Sequence, residues 1–259
     1  MSLTYISLGA GVQSSALLAL SNLGLRGVPR ADVAIFADTQ DEPGWVYDQL
    51  KVLEAWSQIP IQRVTVGRLS KAGNTFLRIP AFTAGEDREG MIRRQCTREY
   101  KLVPILRAVR ALLGAGPRQR VKGSAIALLG ISLDEVHRMR PSREPYIKNC
   151  YPLIDAGLRR GDCLRILHEQ GLPEPKKSAC VFCPFHDDQY WRMLKAEHPD
   201  EWARAVAYDL EIRDSTQAGV KRAAFLHRSL KPLSEVDLSD PHRDQLDLFG
   251  NECEGLCGV

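Results

Sequence analysis

From the amino end, apolar residues first gather as LTYISL at 3–8, a β-rich run that stops at Gly9-Ala10-Gly11. Ser14 and Ser15 then open ALLALSNLGL, so the pattern predicts strand, glycine loop, helix. DVAIFA at 32–37 predicts a second buried strand, ending at Asp38-Thr39. A helix over about 44–56 follows, then a third strand, IQRVTV at 61–66. IALLGI at 126–131 reads as a fourth strand, and helices are predicted over 97–113, 159–170, 187–196 and 199–213. Strands alternating with helices imply an α/β fold: a doubly wound, mostly parallel sheet with helices on both faces. The stretch 70–95 is polar, arginine-rich and without a clear period, and is expected to be a mobile loop. After Lys231 the chain is polar and irregular. The expected division is an α/β domain over 1–175 and, packed on it, a helical region with a carboxyl-terminal tail over 176–259.

The 259 residues are 44% hydrophobic, enough for a real core. No apolar run reaches the 18 or so residues that span a bilayer. MSLTYISLGAG has no basic segment before an apolar one, so the chain is expected to be cytoplasmic, without a membrane partner. The net charge of +3 does not by itself argue for nucleic acid. Three arginine-rich groups qualify that: Arg88, Arg93, Arg94 and Arg98; Arg107, Arg110, Arg118, Arg120 and Lys122; and Arg138, Arg140 and Arg143. They suit solvated helix faces and a phosphate-binding surface equally. Seven cysteines in a reducing compartment argue for metal or redox chemistry rather than a disulfide scaffold.

Ser7-Leu-Gly9-Ala-Gly11-Val-Gln-Ser14-Ser15 has the composition of a phosphate loop. Glycines let backbone N–H groups approach an anion, serines donate to its oxygens, and the helix start adds a favourable dipole. No Gly-Lys-Ser/Thr follows, so this is not a Walker A loop, and the dinucleotide spacing fails at Ser14. A plain serine-capped turn is the alternative. Cys180-Val-Phe-Cys183-Pro184 can bring two thiolates to one centre from a tight turn, with zinc, iron–sulfur and a redox dithiol all open. Cys253 and Cys257 could fold back over it, whereas Cys150 and Cys163 read as small core residues.

The 9–15 loop resembles a variant of the pyrophosphate loop of the adenine-nucleotide α-hydrolase superfamily, with Ser14 where that family usually has Asp. Phe36-Ala-Asp38-Thr39-Gln-Asp-Glu42-Pro, Gln95-Cys96-Thr97-Arg-Glu-Tyr-Lys101 and Leu129-Gly130-Ile131-Ser-Leu-Asp134-Glu135-Val-His-Arg138 resemble, in order, segments of PAPS reductase-like proteins. The resemblance implies an ATP pyrophosphatase, closest to those of DNA phosphorothioation systems. It implies nucleotide binding by Ser7, Gly9, Gly11, Ser14, Ser15, Asp38 and Gly130, with Ser14, Ser15, Lys101 and Arg138 holding charge on the leaving pyrophosphate and Mg²⁺ bridging its oxygens. It also implies a [4Fe–4S] cluster, or alternatively zinc, on Cys96, Cys180 and Cys183, with Cys257 as the favoured fourth ligand. A cysteine desulfurase would donate sulfur to DNA, or alternatively to tRNA. A PAPS or APS reductase and a non-catalytic zinc-stabilised nucleic-acid-binding module are the more distant readings, and the chain could form a homodimer.

Overall fold

The computed structural model describes residues 2–71, 79–84, 90–92, 94–213 and 222–239. Its strands are β1 (Ser2–Leu8), β2 (Val33–Ala37), β3 (Ile61–Val64), β4 (Phe82–Thr83), β5 (Gly90–Met91), β6 (Ser124–Leu129), β7 (Ile147–Cys150) and β8 (Ala224–Phe225). Its α-helices are α1 (Val12–Leu23), α2 (Gly44–Trp56), α3 (Val103–Leu112), α4 (Pro152–Asp155), α5 (Arg160–Glu169), α6 (Asp188–Glu197) and α7 (Pro199–Glu211). The main sheet is parallel throughout, in the order β3-β2-β1-β6-β7.

Alternation along the strands explains the layers. Ile6 and Leu8, Ala34 and Phe36, and Leu128 point to one face, where they meet α1, α2 and α5. Leu3 and Tyr5, Val33, Ile35 and Ala37, and Ala125, Ala127 and Leu129 point to the other, against Ile105, Ala108 and Val109 of α3. The central strands β1, β2 and β6 are apolar at both parities, as a sheet covered on two faces requires. From β1 the chain steps outward to β2 and β3, then returns through α3 to place β6 on the other side of β1. The strand order reverses there, so a crevice opens beyond the carboxyl ends of β1 and β6.

A second core gathers Leu69, Ile79, Ala81 and Tyr100 with Val181, Phe182, Trp191, Leu194, Tyr208, Leu226 and Leu233. Two buried carboxylates tie it together. Asp209 accepts the backbone N–H groups of Leu226 (2.8 Å) and Leu233 (2.9 Å) and pairs with Arg213. Asp188 lies 3.1 Å from both His227 Nε2 and Arg228 Nη2. The three-stranded sheet β5-β4-β8 lies in this region.

The structure differs from the sequence reading in several places. β7 was not anticipated: IKNC is short and half polar, which an edge strand tolerates. β6 stops at Leu129, leaving Gly130 and Ile131 outside the ladder. Thr97–Leu102 coils as a π-helix ahead of α3. Val103 keeps α geometry but its N–H reaches the Arg98 carbonyl five residues back, and Pro104 after it has no N–H to bond back into a regular turn. Where 70–95 is described it contributes β4 and β5 rather than only loop. No helix among the described residues is long and apolar enough to cross a membrane.

Candidate functional site

The 9–15 loop lies in the crevice. Gly11 caps α1 in an extended conformation, and its carbonyl accepts the first helical bond from Ser15 N–H at 3.0 Å. Ser14 closes the loop on itself: its Oγ accepts from Gly9 N–H and donates to Gly11 C=O, each at 3.2 Å. Ala10 sits at φ 55°, a left-handed conformation that costs a residue with a Cβ roughly 1–2 kcal/mol. Gly9 and Gly11 have ordinary negative-φ geometry and room for a Cβ, so the fold alone does not demand glycine at either. Gly130 is different. A Cβ there would lie 2.8 Å from both the N and the Cα of Ser14, so glycine is what lets the end of β6 touch the loop backbone.

The loop serines have different surroundings. Ser14 is half-buried, whereas Ser15 is wholly buried and its Oγ has no partner among the described residues. Ser7 is buried within β1, in register with Ile35 and Leu129.

At the end of β2, Asp38 Oδ1 accepts from Gln40 N–H (2.7 Å) and Tyr47 OH (2.9 Å). It therefore shapes its own turn rather than capping α2, whose N-cap is Pro43. Burial first, then the bond to Asp38, raises the Tyr47 phenol pKa above its ordinary value. Gln40 at φ 60° is a second left-handed residue at this edge. Buried Asp41 holds Ser70 through both N–H (2.7 Å) and Oγ (3.0 Å) and lies 3.4 Å from Arg204.

Glu42, 2% exposed, organises the cysteine corner. Its Oε1 lies 3.1 Å from Lys101 Nζ, 3.3 Å from Thr39 Oγ1 and 3.7 Å from Cys180 Sγ. Cys180 Sγ is 3.2 Å from Thr39 Oγ1, and Cys183 N–H donates to the Cys180 carbonyl at 3.0 Å, the tight turn expected of the motif. Burial, then the Glu42 charge, raises the Cys180 thiol well above its ordinary range. Burial likewise pushes Cys183 up to about 11, with Cys96 adding to the rise and Arg94 and Lys101 opposing it. The three cysteines thus share one corner, with Cys96 and Cys180 packed against the same core. Yet among the described residues no three His, Cys, Asp or Glu side chains are gathered to hold a metal ion. The thiols are of the donor type that zinc and iron–sulfur clusters use, and Cys253 and Cys257 lie outside the described residues. Cys163 is fully buried and pushed up to about 12 by burial, while half-buried Cys150 packs against the same core.

The cysteine turn leans on the 9–15 loop. Ser178 Oγ donates to the Gly9 carbonyl, and Trp45 Nε1 donates to the Lys177 carbonyl at 3.1 Å. The two cations expected on the leaving group are both engaged by carboxylates: Lys101 by Glu42, and Arg138 by Glu135 three residues before it. Arg118, Arg120 and Lys122 precede β6 and so stand at the opposite end of the sheet from the crevice. Sequence reasoning passed over Arg159 and Arg160. They open α5, and Arg160 Nη1 donates to Oε1 of Gln13, a loop residue, at 3.1 Å. A signal was present: basic residues at a helix start oppose the macrodipole and ask for a reason.

No protein-family model matches the sequence, and no curated protein does. Among solved structures the chain is similar to phosphoadenylyl-sulfate (PAPS) reductase from Candida auris in its phosphate complex. The TM-score is 0.42 and the identity 14%, over 68% of this chain and 80% of that one.

Proposed function

We propose that the crevice between β1 and β6 binds ATP, with the triphosphate on the 9–15 loop, and that the protein is an ATP pyrophosphatase. The observation that carries this reading is the seating of Gly130 against the Ser14 backbone. It joins two strand ends into one glycine-lined wall at the reversal of strand order, where α/β sheets bind ligands. The α1 amino terminus and the backbone N–H groups of the loop supply donors to the phosphates. An acceptor oxygen attacks the α-phosphorus, the bond to the α,β-bridging oxygen breaks, and pyrophosphate leaves with the electron pair. The acceptor oxygen is then bonded to AMP, as a phosphoric anhydride when the acceptor is a phosphodiester, and a sulfur nucleophile attacks the acceptor atom so that AMP leaves with that oxygen. The sequence resemblance supports a nucleic-acid acceptor, with DNA phosphorothioation as the reaction and a cysteine desulfurase as the sulfur source.

Magnesium would neutralise the triphosphate when bound with it. Asp38, Asp41 and Glu42 are already engaged within the fold by hydrogen bonds and an ion pair.

Pyrophosphate release from ATP tests the reading. Gly130→Ala should retain the folded spectrum and lose release at least tenfold, and Ser14→Ala should weaken it. Undiminished release by a folded Gly130→Ala protein would show that the loop is not the site. With α-³²P-ATP, label should pass to a DNA duplex; label on tRNA and none on DNA would move the acceptor class.

A further inference from the structure

Arg160 differs from Lys101 and Arg138 in that, among the described residues, its guanidinium meets no carboxylate. Lys101 and Arg138 are each met by a carboxylate, and the ammonium of Lys177 lies 5.7 Å from the centre of the Tyr190 ring. Arg160 is exposed and makes no ion pair among the described residues. Its side-chain bond is to neutral Gln13, which uses one of the five guanidinium donors.

Two further contacts place this side chain. Gln13 is the second residue of α1, and its Nε2 lies 3.5 Å from Ser132 Oγ just beyond β6. The Gln13 amide is thus held between β6 and α5, with its oxygen turned to Arg160. The start of α5 meanwhile already has its anion. Arg160 N–H donates to both carboxylate oxygens of Asp134 at 3.3 Å. Burial alone would raise the Asp134 carboxyl, but hydrogen bonds from Ser132 and from the backbone N–H groups of Asp134 and Arg160, with Arg159 nearby, hold it below its usual range. The helix start is therefore satisfied by the protein itself. The Arg160 guanidinium remains directed at the phosphate loop, 147 residues away in sequence.

We infer that Arg160, oriented by Gln13, is the cation that grips the phosphates seated on the 9–15 loop. This rests on the nucleotide reading above and adds the residue that selects for polyphosphate. A guanidinium offers paired donors to phosphate oxygens, and an exposed arginine loses little hydration in doing so. Its place at the start of a helix, where a positive charge is locally unfavourable, fits a side chain kept for an external anion.

Titration calorimetry with magnesium-ATP, inorganic pyrophosphate and adenosine, on the full chain, tests the inference. Arg160→Ala should weaken ATP and pyrophosphate at least tenfold, about 1.4 kcal/mol, and leave adenosine within twofold. Arg160→Lys should recover part of the loss. Gln13→Glu, which gives Arg160 a carboxylate partner, should weaken both phosphate ligands as Arg160→Ala does. Arg165→Ala, on the same helix and paired with Asp162, should bind as wild type. If Arg160→Ala binds ATP and pyrophosphate like the wild type while Gly130→Ala does not, the inference falls and the nucleotide site stands. If the wild type binds no nucleotide, both fall.

Discussion

Ser14 and Ser15 are adjacent hydroxyls whose substitutions should have opposite effects. Ser14 Oγ makes two loop bonds, to Gly9 N–H and Gly11 C=O. A typical internal hydrogen bond contributes about 1 kcal/mol net, so Ser14→Ala should lower unfolding stability by about 1–2 kcal/mol. Ser15 Oγ is buried without a partner among the described residues, and an unsatisfied buried hydroxyl destabilises. Ser15→Ala should therefore melt at the wild-type temperature or above it. A clear drop in the melting temperature of Ser15→Ala would mean that the hydroxyl has a partner in solution. Gly130 follows a third rule, because its constraint is steric and any side chain collides with loop backbone.

At the scale of elements, the turn after β2, the π-helical turn before α3 and the cysteine turn meet at Glu42. Its carboxylate faces Lys101, Thr39 and Cys180, three groups from three separate segments. Removing one partner of a buried ion pair strands the other charge, at a cost of about 3–5 kcal/mol. Lys101→Met should approach that cost, measured by urea unfolding, since Glu42 is 2% exposed. Combining it with Glu42→Gln should recover at least about 1 kcal/mol, because the stranded charge is removed as well. Strictly additive losses in the double variant would show that the pair is not coupled. The cysteine turn depends on the same contact, so Glu42→Gln should also make the Cys180 thiol more acidic and faster to alkylate at pH 8.

For the whole molecule, two buried histidines set the acid limit. Burial first, then Lys177, lowers His186 to about 3, against its bond to the Cys180 carbonyl. Burial lowers His227 too, with Asp188 opposing. Both are neutral in the fold at neutral pH, while in the unfolded chain a histidine takes a proton near pH 6.5. The unfolded state thus binds more protons below that value, and stability falls as pH drops from about 6.5 towards 3. Each histidine contributes at most about 1.4 kcal/mol per pH unit. Urea midpoints should be level from pH 7 to 8 and decline below 6.5, and His186→Gln should flatten the decline. An equal slope in that variant would assign the acid loss to the carboxylates instead.

The layer architecture was legible in the chain because it depends on local pattern. Apolar residues at both parities in 3–8, 32–37 and 126–129 mark strands covered on two faces, and helical stretches between them force parallel crossovers. The glycine loop was legible for the same reason: strand, glycines and helix start are contiguous. β7 was not, since a short half-polar edge strand has no periodicity to read. The use made of each charge was not legible either. Sequence shows that Lys101, Arg138 and Arg160 are cations, but whether one is available to a ligand depends on where a carboxylate falls in space. Strand order brings Glu42 to Lys101, Glu135 meets Arg138 within one helical turn, and among the described residues Arg160 finds the amide of Gln13 rather than a carboxylate. The Glu135–Arg138 pair follows from helical spacing. Charge neutralisation acts over a few ångströms, however, so for Lys101 and Arg160, whose partners are distant in sequence, only the tertiary structure could decide it.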